Sequence, residues 1–438
     1  MARAAPLVGA LLVAGSLLAG APTAAAFVAA AASAGDGRTG ATNAKDALRE
    51  AAKDVQLLVL KKTCDEICQA NVVSSLEAAG CDEVRLFPAL KLASAHCAPA
   101  AVAASAEGRS GGWNPRRLSG VQSASADAVV PALPPLTPAT SAESTAVAPG
   151  ETIKASRFWG LDRVNQRNLP LDGVTFPSCF PRRGAGVTVY ILDSGLKVDH
   201  AQFGDRASVF AAPGSPYPDG SDENGHGSHV AGTVGGATAG VAPESTLVGI
   251  RVANAGGFIR ARDAWAAIHY VAAVKERDPK AKIILNASFG SDSEDFSPVT
   301  DAANRAAEAG VVFVAAAGNE PVNACRNHPA RAEGAITVAA VNLRDRLAYF
   351  SARGRQCVAV SAPGVGVLSV DSNTSAGLRL DSGTSMAAPH VAGLAALVLA
   401  EDPNGGSLGQ MEVLERLTRA APRLSPVKCL LLQTALPG

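Results

Sequence analysis

The chain contains 438 residues, of which 47% are hydrophobic and 18% are charged. This is enough apolar material for a sizeable core and too much for a wholly disordered chain. The 39 basic and 39 acidic residues give a formal net charge of zero. That balance argues against a general nucleic-acid binder or a protein drawn to an anionic membrane. Eight cysteines are too few for a disulfide-dominated miniprotein.

The first 26 residues have the pattern of a secretory signal peptide. Arg3 gives a positive start, residues 7–19 are apolar or small, and small residues end the segment. This pattern is typical of cleaved export signals, whereas a membrane span needs about 20 apolar residues. We therefore expect a secreted protein without stable membrane insertion. Phe27, directly after the expected cut, leaves a second route open, toward a complex plastid or a vacuole.

Export would place the cysteines in an oxidising compartment, where disulfides form. Four cysteines lie in the N-terminal third and four in the remainder, and each group allows three pairings. The first group could resemble a zinc cluster, but its C-x3-C start fits zinc poorly, so disulfides are preferred. The two groups are Cys64, Cys68, Cys81 and Cys97, and Cys179, Cys325, Cys357 and Cys429.

Residues 54–130 predict a small α+β unit. Short apolar runs flank a segment with helical apolar spacing, which stops at Gly80. The predicted elements are a strand at 54–62, a helix at 65–80, a strand at 84–92 and a final strand at 126–130. Residues 98–125 and 131–155 are rich in Ala, Ser, Pro and Gly, a composition that is typical of linkers.

From about residue 157 onward, short apolar runs alternate with helical segments. This alternation predicts an α/β fold with a mostly parallel central sheet and helices on both faces. The predicted strands are 187–192, 247–252, 283–285, 311–316 and 336–340, and the predicted helices are 261–277, 299–310 and 388–400.

Three segments carry residue types that act together in nucleophilic catalysis. Asp193 ends a buried strand in YILDSG, His226 lies in NGHGSHVAG, and Ser385 lies in SGTSMAAPH before an apolar helix. A serine hydroxyl becomes nucleophilic when a histidine removes its proton, and a buried carboxylate fixes the histidine tautomer. The helix start beside Ser385 favours negative charge. Asn319, after a buried strand, is a candidate second donor to the same oxyanion.

Two alternatives compete with this interpretation. His226 and His229 are three residues apart and could hold a metal ion, although no H-E-x-x-H is present. An α/β-hydrolase elbow would need glycine where the chain has Ala387. That fold would also follow the order Ser, acid, His, whereas this chain has Asp, His, Ser.

The order and surroundings of these residues resemble the subtilisin superfamily of serine peptidases, above all its proteinase K branch. The segment FWGLDRVNQR at 158–167 is similar to the mature N-terminus of that branch. The resemblance covers about residues 156–435 and implies a subtilisin-like fold. It implies four catalytic residues, which are Asp193 as orienting acid, His226 as general base and acid, Ser385 as nucleophile and Asn319 as oxyanion donor.

The resemblance also implies where an extended peptide binds. One segment resembles an edge strand that pairs with the substrate backbone, where glycines leave room for close approach. A second resembles the S1 pocket wall, with Phe289 where the family more often has leucine. The implied substrate-binding residues are Ala255, Gly256, Gly257, Ser288, Phe289, Gly290, Ala317 and Gly318. The wall segments carry no charge, so we expect a broad, apolar P1 preference.

The N-terminal α+β unit resembles a subtilase propeptide, with a ferredoxin-like fold that assists folding and inhibits the enzyme. We therefore expect self-cleavage near residue 155 and an intramolecular inhibitor as partner. The expected domains are a signal peptide at 1–26, a propeptide at 27–130, a linker with the cleavage region at 131–155 and a catalytic domain at 156–438.

The expected function is that of a secreted, monomeric serine endopeptidase, made as a zymogen, which cleaves proteins and peptides. No cofactor is required. Structural calcium is left open because Asn342 stands where the proteinase K branch often has a calcium-binding aspartate. Cys325 and Cys357 match a disulfide pair of some bacterial relatives. Two rival functions are a non-catalytic binding protein on the same scaffold and a metallohydrolase that uses the two histidines.

Overall fold

The computed structural model describes residues 55–97, 118–131, 155–166, 168–175, 180–404, 406, 408–418 and 433–434. The predicted signal peptide, most of the predicted linker at 131–155, and Cys179 and Cys429 lie outside these residues. Within the described part of the chain, no helix is both long and apolar enough to cross a membrane.

Residues 55–131, here called the N-terminal module, contain an antiparallel sheet and a helix. The elements are β1 (Val55–Leu60), α1 (Glu66–Ala78), β2 (Cys81–Phe87), β3 (Leu92–Cys97), β4 (Val121–Ala126) and β5 (Val129–Pro131). The sheet has the order β2-β3-β1-β4. The carboxylate of Asp65 accepts the N–H of Cys68 and caps α1, and Gly80 follows the helix with a φ of 80°.

Two predictions for the N-terminal module were wrong. The predicted strand at 84–92 is interrupted by a 3-10 turn at Pro88–Leu90. Proline cannot donate to a strand ladder, and Lys91 follows with a φ of 54°. The predicted linker at 98–125 contains the start of β4, which pairs with β1. The sequence of β4 carries only Val121 as a large apolar residue, so its composition looked like that of a linker.

The four cysteines of the N-terminal module form two disulfides, Cys64–Cys68 and Cys81–Cys97. This confirms the preference for disulfides over a zinc cluster. The core beneath them is small and contains several alanines beside Leu58, Leu76 and their neighbours. A core of this size supplies little stability by itself, so covalent cross-links matter here.

The remaining described elements, from residue 155 onward, form the body of the protein. In chain order they are α2 (Trp159–Val164), β6 (Val187–Asp193), β7 (Ala207–Val209), α3 (His226–Gly235), β8 (Thr246–Arg251), β9 (Phe258–Arg260), α4 (Ala261–Arg277), β10 (Lys282–Ala287), α5 (Ser297–Glu308), β11 (Val312–Ala316), β12 (Ala335–Val341), β13 (Val360–Pro363), β14 (Val367–Val370), β15 (Leu378–Asp381), α6 (Thr384–Ala400), α7 (Gln410–Thr418) and β16 (Gln433–Thr434).

The central sheet of the body has the order β16-β13-β12-β11-β10-β6-β8-β7. Each neighbouring pair is parallel except β13 and β16. Side chains of β6 alternate between two cores, as strand geometry requires. Val189 and Ile191 pack in the cluster that contains α3 and α6, while Tyr190 and Leu192 pack in the cluster with α4 and α5. The mostly parallel sheet with helices on both faces is therefore confirmed.

The helix that follows the SGTS motif is longer than predicted. The prediction began at residue 388, whereas α6 begins at Thr384 and contains Pro389 within it. Each residue of α6 is buried, as expected for a helix that is apolar on all sides. The body also contains the expected disulfide Cys325–Cys357.

The N-terminal module contacts the body through a short two-stranded sheet. β5 pairs antiparallel with β9, and the N–H of Ala261 donates to the carbonyl of Ala128 at 2.7 Å. The carboxylate of Asp127 accepts the N–H of Arg262, in the first turn of α4, at 2.7 Å. Leu57 packs in the same apolar cluster as Trp265 of α4. Backbone pairing, a helix cap and apolar packing thus join the two parts.

We predict that removal of the body disulfide lowers stability more than removal of the first module disulfide. A loop closed over 32 residues is worth about 3.5 kcal/mol by chain entropy, whereas one closed over 4 residues is worth about 2 kcal/mol. Urea denaturation, followed by tryptophan fluorescence, compares Cys325→Ala/Cys357→Ala with Cys64→Ala/Cys68→Ala. A larger loss of unfolding free energy in the second variant would contradict the prediction.

Candidate active site

Asp193 and His226 form a buried pair at the carboxyl edge of the sheet. Asp193 is the last residue of β6, and His226 is the first residue of α3. Nδ1 of His226 lies 2.8 Å and 3.0 Å from the two carboxylate oxygens of Asp193. The imidazole is 1% exposed and the aspartate is 0% exposed. Because a carboxylate only accepts hydrogen bonds, Nδ1 carries the proton and Nε2 is left as the acceptor of the neutral ring.

The pKa of His226 is raised above its ordinary value of 6.5. Burial alone would lower this pKa, because the interior disfavours a charged imidazolium. The charge and hydrogen bond of Asp193 outweigh burial, and Asp381 and Asp222 act in the same direction. The site therefore stabilises positive charge on this histidine.

A second aspartate, which the sequence analysis missed, holds the loop before α3. One oxygen of Asp222 accepts the hydroxyl of Ser194 at 2.8 Å and the N–H of Gly225 at 2.7 Å. The other oxygen accepts the N–H and the hydroxyl of Ser228 at 2.8 Å and 2.6 Å. The sequence signal was an aspartate shortly before a Gly-His helix start with a serine in the first turn. This arrangement fixes the start of the helix that carries His226.

Ser385 lies in the first turn of α6, opposite the end of β10. Its hydroxyl donates to the carbonyl of Ser288 at 2.9 Å, and the hydroxyl of Ser288 donates to the carbonyl of Ser385 at 2.9 Å. The carbonyl of Ser385 has no helical donor, because Pro389, four residues later, lacks an N–H. Nε2 of His226 is buried and has no hydrogen-bond partner among the described residues.

Asn319 follows β11 and is held by the residue before Ser385. Its side-chain oxygen accepts the N–H of Thr384 at 2.8 Å and the hydroxyl of Thr384 at 2.9 Å. The amide nitrogen is thereby left as the free end of the side chain. A Cβ at Gly383 would lie 3.3 Å from this nitrogen, so glycine keeps the space open. Thr384 is a functional neighbour that the sequence analysis did not identify.

The predicted pocket segments lie directly after neighbouring strands. Ser288, Phe289 and Gly290 follow β10, while Ala317 and Gly318 follow β11. The ring of Phe289 is 2% exposed and packs edge-on against Phe296, with ring centroids 6.2 Å apart. Its side chain therefore belongs to the core, and only its backbone is available at the edge of the sheet.

The segment predicted as a substrate-pairing edge strand is a turn. The side-chain oxygen of Asn254 accepts the N–H of Gly256 and that of Phe258, and Gly257 donates to the carbonyl of Asn254. Ala255 accepts a side-chain hydrogen bond from Asn224, just before His226. Glycine permits a turn here as readily as an extended chain. The extended edge strand is β9, which begins at Phe258.

The contacts of the two histidines give no support to the metal-binding alternative. Nε2 of His229 lies 3.2 Å from the carbonyls of Val367 and Arg379, so it donates to them. Burial lowers the pKa of His229 to about 3. His226 points its Nδ1 at Asp193 instead. No cluster of three or more His, Cys, Asp or Glu is found in the described ranges.

Asn342, the position considered for calcium, organises its own turn. Its side-chain oxygen accepts the N–H groups of Arg344 and Arg346 at 3.0 Å and 3.2 Å. This oxygen is therefore already used by local backbone donors. The residues present do not build a recognisable calcium site at this position.

We predict that Asp193→Asn moves the pKa of His226 from above to below 6.5. Asparagine keeps the acceptor oxygen but removes the charge, so burial then dominates. An NMR titration of the imidazole protons measures this change. His200 serves as the internal control, because burial lowers its pKa and Asp193 does not act on it. An unchanged titration of His226 would show that Asp193 is not the group that raises its pKa.

Comparisons with known proteins agree with this geometry. The family model described as "Subtilase family" matches residues 184–436, more than half of the chain. "Subtilisin-like protease 3" of Pseudogymnoascus destructans is 40% identical over 260 residues, which cover 58% of this chain and 63% of that protein. "Alkaline serine exoprotease A" of Vibrio alginolyticus is 39% identical over 261 residues, which cover 60% of this chain and 46% of that protein.

The matches thus span between about half and two thirds of these two relatives. A solved structure, titled "Crystal structure of a cold adapted subtilisin-like serine proteinase", is 35% identical with a TM-score of 0.54. The similarity covers 64% of this chain and 98% of that one. The fold is therefore subtilisin-like, and the chain belongs to the subtilase family.

Proposed function

We propose that the chain is a serine endopeptidase that uses Asp193, His226 and Ser385 as a catalytic triad. The observation that carries the proposal is the buried pair of His226 with Asp193, which leaves Nε2 of the ring as an acceptor without a partner among the described residues. Ser385 supplies a hydroxyl at the start of a buried helix. Membership of the subtilase family supports this assignment.

The proposed reaction begins when the hydroxyl of Ser385 turns from the carbonyl of Ser288 toward His226. Nε2 of His226 takes the proton as the oxygen attacks a peptide carbonyl, and the imidazolium then gives this proton to the leaving amine. An acyl-enzyme forms on Ser385. Water then attacks the acyl carbonyl and gives a proton to Nε2 of His226, which passes it to the oxygen of Ser385 as the ester bond breaks and the acid product leaves. Asp193 holds the ring and offsets its positive charge, in keeping with the raised pKa of His226.

Two groups would stabilise the oxyanion of the tetrahedral intermediate. One is the backbone N–H of Ser385 in the first turn of α6, where no earlier helical carbonyl is available to it. The other is the side-chain amide of Asn319, whose oxygen is already occupied by Thr384. Donors fixed in advance are effective because they need no reorganisation during the reaction.

We further propose that the protein is made as a secreted zymogen and acts on protein substrates with a broad, apolar P1 preference. The wall segments Ser288–Gly290 and Ala317–Gly318 carry no charged side chain. The N-terminal module, paired with β9, would act as an intramolecular inhibitor until self-cleavage in the segment 131–155. The export pattern at 1–26 supports secretion.

We predict that a fluorophosphonate probe labels the mature protein on Ser385 and that Ser385→Ala abolishes both labelling and casein hydrolysis. The probe requires a serine that is activated by a base, so a non-catalytic binding protein on the same scaffold would not react. Peptide mapping by mass spectrometry identifies the labelled residue. Ser361→Ala, another buried serine of the body, serves as the control and should keep its label. Normal hydrolysis by Ser385→Ala would refute the assignment.

Docking of the N-terminal module should depend on pH through Asp127. Burial raises the pKa of Asp127 to about 7, with Arg262 opposing and Asp263 reinforcing this rise. In a released module this carboxyl would titrate near its ordinary value of 3.8. Docking is therefore accompanied by proton uptake at Asp127 between about pH 3.8 and about pH 7. The stabilisation of the docked state by this proton is fully present below pH 3.8 and is lost as the pH rises through about 7.

We predict that the lag before peptidase activity appears is longer at about pH 5 than at about pH 8. Asp127→Asn should reduce this difference in lag time between the two pH values. The full chain is incubated at each pH, and samples are then assayed with a peptide substrate at one fixed pH. Asp205→Asn, which removes an exposed carboxylate far along the chain, is the matched control. Equal pH dependence in both variants would show that Asp127 does not control docking.

A further inference from the structure

β15, the strand before the SGTS segment, contacts the helix that carries His226 at its first and second turns. Nη2 of Arg379 donates to the carbonyl of Gly225, the residue before the helix, at 3.2 Å. Nε2 of His229 donates to the carbonyl of Arg379 at 3.2 Å. Arg379 therefore touches both sides of His226 along the chain. Nε of Arg379 is buried without a hydrogen-bond partner in the described residues.

Asp381, two residues later on β15, adds a further carboxylate to the surroundings of His226. It is 8% exposed, and one oxygen accepts the N–H of Ser382 at 2.7 Å. The other oxygen lies 3.9 Å from Nη2 of Arg379. Burial raises the pKa of this carboxyl, and the charges of His226 and Arg379 oppose the rise. Asp381 thus interacts electrostatically with the imidazole and is linked to its helix through Arg379.

We propose that Arg379 and Asp381 are positioning residues for His226, with Arg379 fixing the start of α3 and Asp381 adding a further negative charge that stabilises the imidazolium. The proposal rests on the proposed function of His226 as general base. Neither residue has a place in the triad, and neither touches the reacting atoms. The effect of each passes through the position or charge of His226.

The other charged and titratable groups around His226 have contacts of their own, so the effect of Asp381 can be considered separately. From β6, Asp193 is bonded to the ring itself, and from the loop before α3, Asp222 is fully engaged by Ser194, Gly225 and Ser228. His229, in α3, is kept neutral by burial. β15 supplies Arg379 and Asp381. Loss of the Asp381 charge would lower the pKa of His226, because Asp381 is one of the groups that raise it.

The first experiment compares the pH dependence of kcat/KM for the mature wild type and for Asp381→Asn. Because the neutral imidazole is the active base, we expect the acid limb to move to lower pH. The plateau should fall severalfold, because a less basic imidazole takes the proton of Ser385 less readily and the imidazolium is less stabilised. Asparagine keeps the acceptor for Ser382.

The matched control is Asp371→Asn, which removes a carboxylate from the other end of the same β14–β15 hairpin. Asp371 is also 8% exposed, and its carboxylate accepts hydrogen bonds from Asn373 rather than from groups near His226. We expect this variant to keep the wild-type pH profile. An Asp381→Asn profile that coincides with that of the wild type, even with a lower melting temperature, would overturn the role of Asp381.

The second experiment tests Arg379 and still decides the proposal if Asp381→Asn does not fold. Arg379→Met removes the donor to Gly225 and should lower kcat by about tenfold with little change in KM. Arg379→Lys keeps the charge and should recover part of the loss. An unchanged kcat in Arg379→Met would overturn the proposal. Absence of fluorophosphonate labelling on wild-type Ser385 would instead refute the proposed function, so the two failures are distinguishable.

Discussion

The site depends on one buried hydrogen-bonded pair, His226 with Asp193, at the carboxyl edge of a parallel sheet. Removing an imidazole and a carboxylate from water is costly, and only close pairing with further hydrogen bonds offsets the penalty. Asp193 meets this condition, because it bonds to His226 and also accepts the N–H of Ser194 at 2.7 Å. The strand order places β11, β10, β6 and β8 side by side. Residues that follow these strands therefore meet at a single edge, as in other parallel sheets.

The Ser385 side of the site is held by backbone groups that lack helical partners. Pro389 leaves the carbonyl of Ser385 without a helical donor, and the hydroxyl of Ser288 donates to this carbonyl instead. The side-chain amide of Asn286, the penultimate residue of β10, donates to the hydroxyl of Ser288 at 2.8 Å. A chain of fixed donors and acceptors thus holds the first turn of α6. Because Ser288 and Ser385 bond to each other in the buried interior, displacement of Ser385 would leave unpaired polar groups.

The sequence predicted the parts of the fold that carry strong local signals. The helix at 261–277 has the predicted bounds, and the buried strands have nearly the predicted bounds, because their apolar spacing is regular. β4 was missed because a strand of mainly small residues lacks that spacing and is held by β1. Asp193, His226, Ser385 and Asn319 were predicted as site residues because short motifs surround them. Asp222, Arg379 and Asp381 were not singled out, since their interactions join segments far apart in the chain.

The pairing of β5 with β9 shows that the N-terminal module uses an edge strand to which an extended peptide could also bind. β9 pairs with β5 along residues 258–260, so its backbone groups already have partners while the N-terminal module is in place. An extended peptide that adds to a sheet edge uses the same main-chain donors and acceptors. A peptide that used these same groups of β9 would have to displace β5. The buried carboxylate of Asp127 at the start of α4 then links retention of the N-terminal module to proton uptake, because the same group is exposed once the strand leaves.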